Sequence, residues 1–233
     1  MPDTSGPADT TMMGVMHDAL RRDFARTRSV LTADATAPQQ QRTAVAAHVP
    51  FMLEFLHAHH SSEDLHLWPM VRDRDASLGP LLDSMSRDHA AIAAHVDALT
   101  EAAGRYSTDA GGRARGGLVD ALDAFSAVLL PHLAREEAEM MPRVSECLTD
   151  DEWHAFERAA KPEMPARVLA EYLNWFLDGL DEPRRRYVLR ALPAPIVLVS
   201  TRLYGPGYRR RAARRWMSTS SPAPGGSVGG GVR

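Results

Sequence analysis

Apolar residues recur every three or four positions in four long stretches of the chain, the period of an amphipathic helix. The first stretch begins at Thr11 and runs through Met13, Leu20, Phe24 and Leu31. It stops at Asp34–Pro38, where the proline is placed to open the next helix. The second runs through Val45, Val49, Met52 and Leu56 and ends at Pro69, with Pro50 inside it predicting a kink or a late start. A loop spans Arg72 to Pro80. The third stretch then follows Leu82, Met85, Ile92, Val96 and Leu99 and fades at Gly104. Beyond a second loop, Ser107 to Gly112, the fourth follows Leu118, Leu122, Phe125 and Leu129 and ends near Pro142. No run of alternating polarity competes with this reading. Four helices of bundle length with short connections predict an all-α chain whose core is an antiparallel up-down four-helix bundle over residues 11–148.

The remainder divides by composition. Residues 1–10 read as a disordered leader. Residues 149–216 read as a helical C-terminal extension, with helices over Asp151–Ala160, Ala166–Leu180 and Arg184–Leu192. Residues 217–233, rich in Gly, Ser and Pro, read as a disordered tail.

Six polar residues interrupt the apolar stripes: His17, His59, Glu63, His89, His132 and Glu136. One histidine on such a face is more often a hydrogen-bonded core residue than a ligand. Six together, two of them carboxylates, read differently, because buried charges are normally paired or bound to metal. Their spacing is more specific than their number. His59–Glu63 and His132–Glu136 are both four apart, which puts each pair on one helix face, one turn apart. His17 precedes His59 by 42 residues and His89 precedes His132 by 43, so the chain reads as two copies of one helical hairpin. If each histidine pair faces across its hairpin at one depth, the turns must fall midway, and Asp34–Pro38 and Ser107–Gly112 lie there. Four imidazoles and two carboxylates thus converge. Such a set suits iron, manganese or zinc, and carboxylates can bridge two cations in a bundle.

Composition narrows the classes. With 44% hydrophobic and 24% charged residues the profile is that of a globular chain, and a net charge of -3 argues against a nucleic-acid binder. Cys147 is alone, so neither a disulfide nor a thiolate metal cluster can form within one chain. The first residues carry no signal-peptide pattern, and no apolar stretch approaches the roughly 20 residues of a membrane span. A cytoplasmic chain with no transmembrane segment is the expectation.

His17, His59-x-x-x-Glu63, His89 and His132-x-x-x-Glu136 resemble the H–HxxxE–H–HxxxE signature of the hemerythrin-like, or HHE cation-binding, proteins. The flanks are also similar: His59–Asp64 with Trp68-Pro69, and Glu136-Glu137 with Met141-Pro142. The resemblance covers about residues 11–145. It implies a non-haem centre of two iron ions, oxo- or hydroxo-bridged, that meets oxygen, peroxide or nitric oxide. One departure bears on function. Oxygen-carrying members have a further histidine one turn after the third-helix ligand, where this chain has Ala93. One iron is then short of an imidazole, which favours peroxide or nitric oxide chemistry, or sensing, over reversible oxygen carriage.

Two readings follow: a di-iron protein that binds, senses or reacts with these ligands, catalase-like activity included, and a non-enzymatic iron-binding or sensor module acting through its C-terminal region. No protein partner is identified. Secondary signals are read as surface features. His57, His60 and His66 are expected as solvated or capping residues, with His66 a candidate for the bundle mouth. Asp18, Asp64, Asp88 and Glu137 adjoin ligands and either face solvent or hold ligand rings on neighbouring helices. The cluster Arg209–Arg211 with Arg214 and Arg215 reads as a charged tail.

Overall fold

The computed structural model describes residues 6–33, 37–160 and 165–217. Among them the chain is all helical, and a single isolated antiparallel bridge, Pro7 with Thr149, takes the place of a sheet. The elements are α1 (Thr11–Thr32), α2 (Gln39–Ser62), α3 (Trp68–Arg74), α4 (Gly79–Ala93), α5 (Val96–Thr108), α6 (Gly112–Arg135), α7 (Met141–Cys147), α8 (Asp150–Ala160), α9 (Ala166–Leu177), α10 (Glu182–Arg190), α11 (Ala194–Leu198) and α12 (Gly205–Arg215).

The long stretches follow the apolar period, with informative exceptions. Pro50 does not delay α2, which starts at Gln39. Pro69 does not end the second stretch either. Between α2 and α3 lies one wide π turn, Glu63–Leu67, in which the Trp68 amide donates to the Glu63 carbonyl five residues back. The fourth stretch repeats this: Glu136–Met140 is a π turn, closed by the Met141 amide on the Glu136 carbonyl, before α7 continues past Pro142. In an α-helix a proline ring collides with the carbonyl four residues earlier. Widening the turn just before Pro69 and Pro142 moves that carbonyl aside, so the helix continues. The third stretch breaks at Ala94–His95, which separates α4 from α5 although neither glycine nor proline marks the place.

α2 packs on α5, α5 on α6, and α6 on both α1 and α4. Leu20, Phe24, Val49, Met52, Leu56, Leu99, Leu122, Phe125 and Leu129 form the main core. Burying side chains of this size stabilises by about 1.5–3 kcal/mol each. A second cluster lies beyond the π turns, where Leu67, Trp68, Val71, Leu82, Met85, Met140 and Val144 meet Trp153 and Phe156 of α8. The helix Gly112–Cys147 meets the length and composition of a membrane span, a test that a core helix also passes. It packs against α1, α3, α4 and α5 and buries His132 and Glu136, as a core helix does.

The C-terminal helices share these cores. Trp175, Tyr208 and Ala212 join the main cluster, and Leu173, Leu177 and Val188 pack on Val15 of α1. α8 opens on a capping box: Thr149 donates its amide to Glu152 Oε2 at 3.0 Å and Glu152 returns the bond to Thr149 Oγ1 at 3.4 Å. α9 stops three residues short of the expected Leu180, and Gly179 follows at φ +69, a conformation that favours glycine. Residues 6–10, expected as leader, lie against 148–150: the Ala8 amide donates to the Leu148 carbonyl at 3.0 Å, and the Asp150 amide to that of Gly6 at 2.9 Å. Residues 1–5 and 218–233 lie outside the described residues, as do 34–36 of the first expected turn.

The Arg-rich end is no free tail. It forms α12, with Arg211 paired to Glu171 and Arg215 buried at 6% exposure. Arg215 reaches a buried polar cluster around Asp23. Asp23, fully buried, accepts hydrogen bonds from Trp175 Nε1 at 2.9 Å, from Arg22 Nε at 2.8 Å and from His48 Nε2 at 2.7 Å. On the other edge of the His48 ring, Nδ1 accepts from Arg215 Nη1 at 3.0 Å. Donor and acceptor roles then match only for neutral His48 protonated on Nε2. Burial depresses its pKa and agrees with that tautomer.

Candidate metal centre

All six expected residues come together in the interior, each 7% exposed or less. α1 supplies His17, α2 His59, α4 His89 and α6 His132. Glu63 and Glu136 are each the first residue of a π turn, so the widened backbone begins at the carboxylates themselves. π turns inside helices are frequent at functional sites.

His17 Nε2 and His59 Nε2 are 3.1 Å apart. Two nitrogens held at right angles by one first-row metal ion at ordinary bond lengths would be about 3.0 Å apart. Glu63 spans the two histidine pairs, with Oε1 3.2 Å from His59 Nε2 and Oε2 3.5 Å from His89 Nε2. Glu136 Oε2 lies 3.5 Å from both His17 Nε2 and His132 Nε2. The carboxylates are thus shared between the hairpins. Ligand atoms of His17, His59 and Glu136 fall within 4.8 Å of one another, and so do those of His60, His89 and His132.

Two of the ring nitrogens facing away from this centre are held by carboxylates. His17 Nδ1 donates to Glu137 at 2.8 Å and His89 Nδ1 to Asp64 at 2.9 Å; Asp88 Oδ2 lies 3.4 Å from His132 Nδ1, which makes no hydrogen bond. Glu137 and Asp64 each adjoin a candidate ligand on a different helix from the ring that they hold. With Nδ1 carrying the proton, Nε2 presents its lone pair inward. Of the four carboxylates adjoining ligands, only Asp18 is turned elsewhere, pairing with Arg21 and Arg184.

Electrostatics agree with a cation-binding role. Burial, and then the neighbouring imidazoles, depresses His59 and His60 well below the ordinary histidine range and His132 to about 4, so the rings are neutral donors at pH 7. Burial and the adjacent Glu136 carboxylate push Glu63 well above its ordinary value. Burial also opposes ionisation of Glu137, but hydrogen bonds from His17 and Arg21 hold it down at about 2. Both oxygens of Glu63, both of Glu136, and Nε2 of His60, His89 and His132 are buried without any hydrogen-bond partner. Orphaned acceptors at this density are rare in folded proteins, and a cation among them would satisfy them together. The donor set of imidazole and carboxylate fits iron.

Sequence reasoning misjudged His60, which is buried at 6% exposure and turned toward α4. His57 and His66 are exposed as solvated residues should be. The π turn after Glu63 adds a residue to the turn, rotating His66 off the shared face and bringing Leu67 into the core at 0% exposure.

Two cavities border the centre. One, of about 250 Å³, lies between α2 and α4 and is lined by Leu56, His60, Asp64, His89 and Ala93 among others. The second, of about 350 Å³, is walled by Met12, Met16, Phe55, Phe156, Tyr172 and Phe176, with His59 on its lining.

Residues 9–144 match the family described as Hemerythrin HHE cation binding domain, and the chain belongs to that family. No curated protein and no solved structure matches it.

Proposed function

We propose that this chain is a non-haem di-iron protein, an antiparallel up-down four-helix bundle, that binds, senses or reacts with oxygen, peroxide or nitric oxide. The observation that carries the reading is the shared carboxylate pair: Glu63 and Glu136 stand between two groups of imidazoles, each group compact enough for one ion. Support for the bundle comes from contacts that run in opposite chain directions, Arg28 with Asp123 at one end of α1 and His17 with Glu137 further along.

Two iron ions would supply one-electron chemistry and open positions for a small ligand. The roles of the chain itself follow from its side chains. Glu137 and Asp64 fix the ring tautomers of His17 and His89. Phe55, stacked on His59 with ring centres 5.9 Å apart, closes one side of the site against water. The apolar cavity beside His59 favours a small, weakly polar diatomic over a charged substrate.

A second reading, a sensor acting through the C-terminal helices, is favoured by one contact. Phe55 also touches Tyr172, Trp175 and Phe176 of α9, with ring centres 5.1–5.4 Å apart. Displacement of His59 would therefore reach α9 through a single ring.

Metal analysis with the visible spectrum of the aerobic protein tests the proposal. The expected result is about two irons per chain with an oxo-bridged diferric band, both lost in His59→Ala. Zinc, or no metal, would refute it. Oxygen evolution from peroxide would favour the enzyme over the sensor.

A further inference from the structure

We infer that His60 is a metal ligand, completing a three-imidazole set with His89 and His132 for the second ion of the centre. This rests on the di-iron reading.

His60 immediately follows His59, so on the helix the two rings point about 100° apart. In a surface helix that would send one of them to water. Here α2 is flanked on both sides: His59 turns to His17 of α1, while His60 turns to α4 and α6. Its ring lies parallel to His89 with centres 4.0 Å apart and edge-on to His132 at 5.1 Å. One nitrogen of each of the three falls within 4.8 Å of the others, and all three Nε2 atoms are buried without a partner. A ring placed only for packing would bring its polar atom to a donor, an acceptor or solvent. His60 Nε2 instead is buried without a partner, and one nitrogen of its ring lies within 4.8 Å of a nitrogen of each of two other candidate ligands.

The count of donors agrees. His17 and His59 are grouped with Glu136, whereas His89 and His132, each 3.5 Å from a carboxylate oxygen, are grouped with the third imidazole of His60. Ala93, one turn beyond His89, offers no donor atom, and it lines the same cavity as His60. The imidazole absent from α4 is thus supplied from α2.

Anaerobic iron(II) titration against a chelator, with Mössbauer spectra of the iron-57 protein, tests the assignment in three variants. His60→Phe keeps a flat ring that can stack on His89 but removes the nitrogen. It is expected to weaken the second ion at least tenfold and to change one of two quadrupole doublets, leaving the other. A His60→Phe protein that binds two ions as the wild type does, with the same spectrum, would overturn the inference and leave His60 a stacking partner. His60→Gln, which makes a smaller change in the core, is expected to show the same loss if His60→Phe does not fold. His60→Ala should regain the second doublet with added imidazole, which the adjoining cavity can admit; no recovery would count against direct ligation. Fewer than two ions in the wild-type chain would overturn the di-iron reading itself, and this inference with it.

Discussion

Asp23 anchors the C-terminal helices to the bundle, and replacing it with asparagine measures that attachment. The carboxylate accepts from Trp175 of α9, from Arg22 of α1 and from His48 of α2, and His48 passes the network on to Arg215 of α12. Asparagine keeps the shape but removes the charge and turns an N–H₂ toward one of these donors. Breaking one partner of a buried charged network costs about 3–5 kcal/mol. For a chain of this size, about 2–4 °C per kcal/mol, Asp23→Asn should lower Tm by about 6–20 °C. Thermal melts give the magnitude, and amide exchange gives the location, with lost protection concentrated in α9 and α12. The pH dependence adds a sign. Burial opposes ionisation of Asp23, but His48 and Arg22 hold its pKa well below the ordinary value in the folded chain. A depressed carboxylate contributes stability that is present above its unfolded pKa of about 3.9 and is lost as pH falls below it. The gap between wild type and variant should therefore be full at pH 7 and narrow below about pH 4. A Tm change under about 2 °C, or protection lost evenly across the bundle, would refute the anchoring argument.

Three further outcomes follow. Asp64→Asn and Glu137→Gln, which disturb the acceptors of His89 and His17, should each weaken metal binding about 10–100-fold in chelator competition while circular dichroism stays unchanged. Phe55→Ala, which removes the ring between His59 and α9, should cost about 3 kcal/mol in denaturant unfolding and alter the visible spectrum of the loaded protein. Stripping the metal should lower thermal stability by about 4 kcal/mol at free metal one thousand times its Kd, seen as a Tm that falls with chelator.

The helical period and the hairpin spacing made the six residues of the candidate centre legible, because core-facing polar residues stand out against an apolar stripe. His60 was not, since adjacency to His59 implies a different face, and only the three-dimensional neighbourhood shows that this face is also interior. Asp23 and His48 were hidden for the same reason: a polar residue beside an apolar stripe is usually solvated, and here α9 and α12 cover it. The break at Ala94–His95 has no proline or glycine to announce it. The π turns did leave a trace. A proline follows Glu63 and Glu136 alike by six residues, and a proline strains a regular helix, although Pro50 and Pro131 sit inside α2 and α6 without a π turn.

The reciprocity of the centre has a mechanical consequence. His17 and His59 come from the first hairpin, but the carboxylate grouped with them comes from the second; His89 and His132 come from the second, but their companions His60 and Glu63 come from the first. Neither half of the repeat can assemble a complete site alone. A bound ion is therefore a rivet through both halves, closing chain loops of more than a hundred residues between His17 and Glu136. Under the di-iron proposal, whatever changes the hold of the centre on an ion would also change how firmly the two hairpins are clamped together.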